Sequence, residues 1–284
     1  MLRALKDFEN KQLHLGGKAK SLLTLLNNGF RIPETFVLGS DFFESVYSPQ
    51  IIDKLKILAE TQDHKVQLNS LKEEIITKLD TLDFSFLAYL PKTVSKYAVR
   101  SSASIEDGEK FSFAGRFKSE LNVSFEFIKE AIYQVWLSQF NECAIYYLKS
   151  TSENLCSVRM SIIIQEMIEA EISGAMFTIN PVSGNKEEVI IEYVYGCGEG
   201  LMSGSKTPIS LVYSKTDCKL ISENIPELYT ENDRIYDFKN IHIPKLLEIG
   251  KEIEKLNNQF PVDIEWCTLG DEVFVLQSRP ITTL

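Results

Sequence analysis

The sequence predicts an α+β protein built as two lobes, and three observations carry that reading. Apolar residues recur at helical spacing mainly up to about residue 149, whereas short apolar runs of strand character dominate after about residue 160. The 284 residues are 44% hydrophobic and 25% charged, enough for one large core or for two lobes that share a cleft. No internal repeat, low-complexity tract or obvious linker interrupts the chain. The expected division is a mixed N-terminal lobe over residues 1–157 and a sheet-rich C-terminal lobe over residues 158–284.

Gly16-Gly17-Lys18 opens the first helix, which carries Leu22, Leu23, Leu25 and Leu26 at helical spacing and stops at Asn27-Asn28-Gly29, a run suited to a left-handed C-cap. Lys18 then sits in the first turn, where it opposes the helix macrodipole; it makes sense there if it answers an anion held by the same helix end, and a surface lysine is the plainer reading. Residues 41–80 read as a polar, peripheral helical excursion with Ile51, Leu55, Leu58, Leu68, Leu71, Ile75 and Leu79 as its apolar positions. Tyr97-Ala98-Val99-Arg100-Ser101-Ser102-Ala103-Ser104 is a short apolar strand that can deliver a cation and several hydroxyls to a cleft edge, or simply run into a loop with local hydrogen bonds. Ser112-Phe113-Ala114-Gly115 has the composition of a flap whose backbone N–H groups could close over phosphates, although Phe113 also suits a core anchor. Ser124 is a plausible N-cap for a long helix over about residues 124–149, through Phe127, Ile128, Ile132, Val135, Trp136, Phe140, Ile145 and Leu148. Strands are expected at residues 160–167, 175–179, 189–195 and 209–213, and a last helix at roughly 244–259.

Two closing strands follow, and they hold the most informative pattern. Because strand side chains alternate faces, Asp263 and Glu265 share one face of the first, and Gln277 and Arg279 share one face of the second. Two acidic oxygens and an amide oxygen can ligate a hard divalent ion, and an adjacent guanidinium can grip the phosphates that such an ion bridges. A pair of edge strands with a solvated polar face would alternate in the same way.

Composition excludes several classes. Thirty basic against forty acidic residues give a formal charge of -10, which disfavours nucleic acid or an anionic membrane as partner. Five scattered cysteines without a C-x-x-C pair indicate neither a disulfide framework nor a zinc knuckle, and fit a reducing cytoplasm. The opening residues lack a continuous apolar core of the signal type, and no segment approaches the ~20 apolar residues of a membrane helix, so neither targeting nor anchoring is expected. The G-x-x-x-x-G-K-[ST] spacing is absent around Lys18, and Gly196-Cys197-Gly198-Glu199-Gly200 does not have dinucleotide spacing and reads as a turn or flexible loop. His14, His64 and His242 have no obvious serine or aspartate partners, so a nucleophilic triad has no support.

Taken in order, the motifs resemble the nucleotide-binding domain of the phosphoenolpyruvate synthase and pyruvate phosphate dikinase family, an ATP-grasp fold with the nucleotide in the cleft between two lobes. The resemblance spans nearly the whole chain: Leu15-Gly16-Gly17-Lys18, Gly29-Phe30-Arg31-Ile32-Pro33, Ala98-Val99-Arg100-Ser101-Ser102-Ala103, Ser112-Phe113-Ala114-Gly115, Gln165-Glu166-Met167, Ser173-Gly174-Ala175-Met176-Phe177-Thr178, Asn180-Pro181, Gly196-Cys197-Gly198-Glu199, and the two closing strands. It implies that Lys18, Arg100 and Arg279 bind the triphosphate, that Glu265 and Gln277 ligate magnesium, and that Asp263 supports them. It further implies that Ser112 to Gly115 form a phosphate lid, and that Gln165, Glu166, Met167 and Ile168 form a hinge against the adenine; an ordinary buried strand is the alternative there.

In such enzymes ATP passes its β-phosphoryl group to a histidine on a separate swivelling domain, yielding AMP and phosphate overall, and a third domain hands it to the acceptor. The phosphohistidine motif does not occur in these residues, so the resemblance implies partner domains elsewhere in the same polypeptide or on separate subunits. Relatives in the family act on pyruvate, rifamycin antibiotics or the amide of L-glutamine, and a composition rich in Lys, Ile, Asn and Phe, as in an AT-rich bacterial genome, points mildly to the last. This sequence departs from the family pattern at Cys143 and Leu148, where arginines are usual, at Ile209, where an acid is common, and at Cys197, where Leu is. Those departures bear on the outer site and on inter-domain docking. A self-contained ATP-grasp ligase that forms an acyl phosphate and ADP, and a non-catalytic adenine-nucleotide sensor, are the competing functions.

Overall fold

The computed structural model describes residues 2–8, 14–60, 65–104, 107–108, 111–112, 117–142, 158–202, 204–229 and 234–281. The chain divides into two compact units, one of Met1–Leu23 with Glu34–Met167 and one of Thr24–Pro33 with Ile168–Leu284.

The first unit is built on a five-stranded antiparallel sheet. Its strands are β1 (Leu2–Ala4), β2 (Thr35–Leu38), β3 (Tyr97–Ala103), β6 (Ser119–Val123) and β7 (Met160–Glu166), with β4 (Asp107–Gly108) and β5 (Phe111–Ser112) forming a separate two-stranded ladder. The sheet order is β1-β2-β7-β3-β6. Strand β7 was expected in the second lobe; instead it is the middle strand here, with Ile162, Ile163 and Ile164 all at most 1% exposed. A continuous apolar run of this kind marks a strand buried on both faces, but it does not say which sheet buries it.

Helix α1 (Gly17–Asn27) ends as expected, with Gly29 in the left-handed region at φ 82° and the Phe30 N–H returning to the Leu25 carbonyl. Helices α2 (Pro49–Glu60) and α3 (Lys65–Leu79) follow the turn Ser40–Val46. The sequence makes them a peripheral excursion, yet Ile51, Leu55, Leu58, Leu68, Leu71, Ile75 and Leu79 are all buried, in the same core cluster as Val99 and Ile162 of the sheet. Their polar residues cover only the outer face; the inner stripe meets partners that are distant in sequence.

The expected long helix is also shorter than its periodicity suggests: α4 spans Ile128–Leu137 between single turns at Phe125–Phe127 and Ser138–Phe140. Ser124 has extended backbone, but its hydroxyl accepts from Lys96 Nζ at 2.7 Å and makes no cap. At the other end Ser138 Oγ donates to the Val135 carbonyl at 2.6 Å and accepts the Lys118 N–H, so the side chain competes with the helix ladder where the helix stops. Ile145 and Leu148 lie outside the described residues. Trp136 of α4 stacks on Phe43 at 4.7 Å and meets Phe140 and Tyr47 edge-on, which anchors the helix to the core.

The second unit carries a six-stranded antiparallel sheet in the order β11-β10-β9-β8-β12-β13, made of β8 (Ile172–Phe177), β9 (Glu188–Tyr195), β10 (Ile209–Ser214), β11 (Leu220–Asn224), β12 (Val262–Leu269) and β13 (Glu272–Pro280). The short helix α5 (Glu199–Met202) follows β9, and α6 (Arg234–Ile241) and α7 (Ile243–Leu256) precede β12. Phe238 of α6 lies 4.2 Å from the Tyr193 ring and 5.7 Å from Trp266, so this helix pair covers one face of the sheet. Gly174 makes that packing possible: a Cβ there would come within 2.4 Å of the Trp266 ring and 2.3 Å of the Glu192 carbonyl oxygen. The turn after α1 belongs to this unit. The Val275 N–H donates to the Arg31 carbonyl at 2.9 Å, and the Arg31 guanidinium pairs with Glu272 and lies over the Phe274 ring.

Leu55→Ala tests the corrected role of residues 41–80. As a core position it is expected to cost about 2–5 kcal/mol in equilibrium denaturation, whereas a peripheral excursion would lose much less.

Candidate functional site

Register in the second sheet builds a polar row. Glu192 on β9 pairs with Ala175 on β8, Ala175 pairs with Glu265 on β12, and Glu265 pairs with Gln277 on β13. Directly paired residues point to the same face, and adjacent strands lie about 4.8 Å apart, so two carboxylates flank the small Ala175 side chain with an amide beyond them. The pairing of β12 with β13 shifts after Glu265, so that Gln277 opposes Glu265 while Val275 opposes Trp266. Since β12 has neighbours on both sides, the alternative of two solvated edge strands fails for it; only β13 is an edge.

One register step along, Asp263 faces Arg279. The guanidinium donates to Asp263 Oδ2 from Nε at 2.8 Å and from Nη2 at 2.5 Å. Asp263 is only 9% exposed, and burial raises its pKa above the usual carboxylate value although Arg279 works against the shift. The aspartate therefore fixes the cation, which remains half-buried on the same face as Gln277.

Sequence reasoning missed Glu192. Glu192 is half-buried, and that partial burial raises its pKa. The available signal was an acid inside the apolar run Val189-Ile190-Ile191-Glu192-Tyr193-Val194, a composition that a packed strand alone does not call for.

In the first unit, Gly16 approaches β3 so closely that a Cβ would meet the Ser102 carbonyl oxygen at 1.9 Å. The Gly16 N–H donates to Ser161 Oγ and the Ala19 N–H to Ser102 Oγ, both at 3.0 Å, while Ser161 Oγ donates to the Ser102 carbonyl. Ser101 and Ser102 are fully buried, and Ser102 Oγ docks the start of α1, so these two hydroxyls are not delivered to a cleft edge. This docking brings Lys18 beside β3, where its Nζ donates to the Ser101 carbonyl at 3.4 Å, next in sequence to the half-buried Arg100.

The segment from Gln165 to Ile168 is more committed than a presented hinge would be. Gln165 is 2% exposed and its amide donates to Thr35 Oγ1 at 3.0 Å. The N–H groups of Glu166 and Met167 are bonded to the carbonyls of Glu34 and Lys96, so neither serves adenine as a donor in this arrangement. The chain passes from one unit to the other between Met167 and Ile168. Ser112 lies in β5, opposite Asp107, and Gly115 lies outside the described residues.

Comparison with known proteins decides the family. The family described as "Pyruvate phosphate dikinase, AMP/ATP-binding domain" matches residues 12–284. The chain belongs to that family. As a dikinase-type AMP/ATP-binding domain it has the ATP-grasp fold that its motifs imply. The chain is 29% identical over 99% of its length to a probable phosphoenolpyruvate synthase of Methanocaldococcus jannaschii, and 31% identical over 99% to one of Archaeoglobus fulgidus. It is also 31% identical over 98% to a rifampicin phosphotransferase of Bacillus cereus. Each alignment takes in only 26%, 41% and 35%, respectively, of the relative's own length. Among solved structures, D-alanine-D-alanine ligase from Helicobacter pylori aligns over 95% of this chain and 54% of its own at 10% identity, with a TM-score of 0.38.

Among the described residues, no group of three or more His, Cys, Asp and Glu side chains is placed to hold a metal ion. The sheet face instead carries two carboxylates and one amide, all of them oxygen donors. Such a set fits magnesium, which keeps several waters and takes only one or two carboxylates from protein.

A glutamate with a raised pKa favours the protonated form in the fold, so its contribution to stability is present at low pH and lost as pH rises through the folded pKa. Glu192→Gln is therefore expected to be more stable than wild type at pH 7, with the difference shrinking as pH falls toward 4.5. Thermal melts across that range check it; a difference that does not change with pH would contradict the assignment.

Proposed function

We propose that this chain is the Mg-ATP-binding part of a phosphoenolpyruvate-synthase-like phosphotransferase, which passes the β-phosphoryl group of ATP to a histidine on a separate swivelling domain and yields AMP and phosphate overall. The observation that carries the reading is the row Glu192, Glu265 and Gln277 with Arg279 fixed beside it. Phosphoryl transfer requires little covalent chemistry from protein; it needs charge neutralised and oxygens aligned. Glu265 and Gln277 would hold magnesium, assisted by Glu192, and the ion would supply charge neutralisation between phosphate oxygens.

In this reading Lys18, Arg100 and Arg279 act on the transferring phosphates, and Arg279 does so from a geometry set by Asp263. A planar guanidinium held at two nitrogens by a carboxylate keeps its remaining donors aimed, which lowers the ordering cost of gripping a phosphate. Ser112 and Gly115 contribute to the lid. Glu166, Met167 and Ile168 meet the adenine through apolar contact and carbonyl groups, whereas Gln165 supports them from inside the first unit.

The swivelling and acceptor domains lie outside these residues, in keeping with relatives of which the chain matches 26–41%. A composition of the AT-rich bacterial type mildly favours the amide of L-glutamine as final acceptor, through lineage alone; relatives named as phosphoenolpyruvate synthases and rifampicin phosphotransferases mark the other acceptor classes. Work in the cytoplasm fits the scattered cysteines, and no helix among the described residues is long and apolar enough to cross a membrane.

Calorimetric titration with ATP, ADP and AMP, each with and without magnesium, tests the proposal. ATP binding should strengthen with magnesium, and Glu265→Ala or Gln277→Ala should remove that gain. Arg279→Ala should weaken ATP by about 10- to 100-fold, the worth of a charge-assisted contact. Lys18→Ala should weaken ATP more than AMP. ATP binding that ignores magnesium, or equal losses for ATP and AMP, would sink these assignments.

A further inference from the structure

A cavity of about 860 Å³ in the second unit lies away from the polar row. It is walled by α7, by the ends of β8, β9 and β10, and by the turn leading to β12. Val189 and Tyr213, which line it, are cross-strand partners. Val189 stands three residues before Glu192 on β9, so both project from the sheet face opposite the polar row. A molecule in this cavity would have the whole thickness of the sheet between it and Glu265.

Its chemistry has two parts. Val189, Tyr213, Leu247 and Phe260 give it an apolar floor, and Phe260 remains 63% exposed at its edge. Five lysines and three glutamates complete the lining, an excess of positive charge in a chain whose formal charge is -10. One pair is internally satisfied, since Lys215 Nζ donates to both oxygens of Glu254 at 2.9 Å. Lys186 and Lys251 make no ion pair among the described residues.

Tyr213 adds a third observation. The residue is only 7% exposed, and its hydroxyl makes no hydrogen bond among the described residues. That hydroxyl is not among the buried orphaned atoms of the fold, so it is accessible and open to a bound molecule although the ring is enclosed. Here burial and the neighbouring Glu223 raise its pKa, so it stays a protonated donor at neutral pH.

We infer that this cavity is a second ligand site, for an organic anion with a flat apolar body and a carboxylate, sulfonate or phosphate at one end. The body would lie over Val189, Leu247 and Phe260, and the anionic end would take the Tyr213 hydroxyl and the ammonium groups of Lys186 and Lys251. Apolar walls with a few convergent polar groups are the usual make-up of a small-molecule site. The inference does not depend on the nucleotide assignment, because the cavity shares none of its residues.

The probe is 8-anilinonaphthalene-1-sulfonate, followed by fluorescence titration of the whole chain. Saturable binding at one site per chain is expected, unaffected by saturating Mg-ATP. The double charge reversal Lys186→Glu with Lys251→Glu should weaken it by about tenfold, as expected for roughly 1.4 kcal/mol of lost attraction. Tyr213→Phe, which keeps the ring in the core, should weaken it by roughly fivefold through the lost hydrogen bond. N-phenyl-1-naphthylamine, the same body without the sulfonate, should bind more weakly than the sulfonate. Equal affinity of the two probes, displacement by Mg-ATP, binding at several sites, or variants that bind like wild type would each overturn the inference.

Discussion

Cross-strand register in the six-stranded sheet is the constraint on which the candidate site depends. Strand alternation means that a slip of one residue exchanges the two faces entirely. In β12 such a slip would carry Glu265 into the aromatic packing beneath α6 and turn Trp266 outward, removing a fully buried indole from its contact with Phe238. The apolar face therefore sets the polar one. Gly174 takes part in that selection, since only a residue without a Cβ lets the indole lie against the strand beside the one that carries Glu192. The site residues are aligned because the core on the other side of the sheet accepts one register.

Much of this was legible in the sequence, in proportion to how local the cause is. The stop of α1 at Asn27-Asn28-Gly29 could be read because glycine alone tolerates the left-handed turn well, and Gly29 has φ 82°. The alternation of Asp263 with Glu265 and of Gln277 with Arg279 could be read because period 2 is intrinsic to a strand. What stayed hidden depended on partners far along the chain. Nothing in Met160–Glu166 says that its neighbours are Thr35–Leu38 and Tyr97–Ala103, and nothing in the polar helices α2 and α3 says how deep their inner stripe lies. Strands β2, β6 and β11 were too short or too polar to stand out, and β11 is exposed throughout.

The serines after Arg100 show how one residue type can mislead. Their hydroxyls suggested a ligand, but Ser102, together with Ser161, satisfies backbone donors where α1 docks against β3. That use still serves the proposed site, because it is what holds Lys18 beside β3, at the Ser101 carbonyl. Asp263 is similar: its charge is largely matched within the fold by Arg279, so its value lies in orientation. Glu192 is the opposite case. Its position in the row partly desolvates the carboxylate, which disfavours its charged form.

The division of the chain has a consequence for synthesis. Residues 24–33 lie between the two segments of the first unit, yet they are counted with the second, where Arg31 bonds to Val275 and Glu272. On a ribosome that segment emerges long before β13. Strand β2 likewise waits for β7, so neither sheet can close progressively behind the nascent chain. Until β7 appears, β2 and β3 lack the strand that joins them, and until β13 appears the partner surface for Arg31 does not exist. The interleaving therefore makes the last strand of the chain a condition for seating one of its earliest turns.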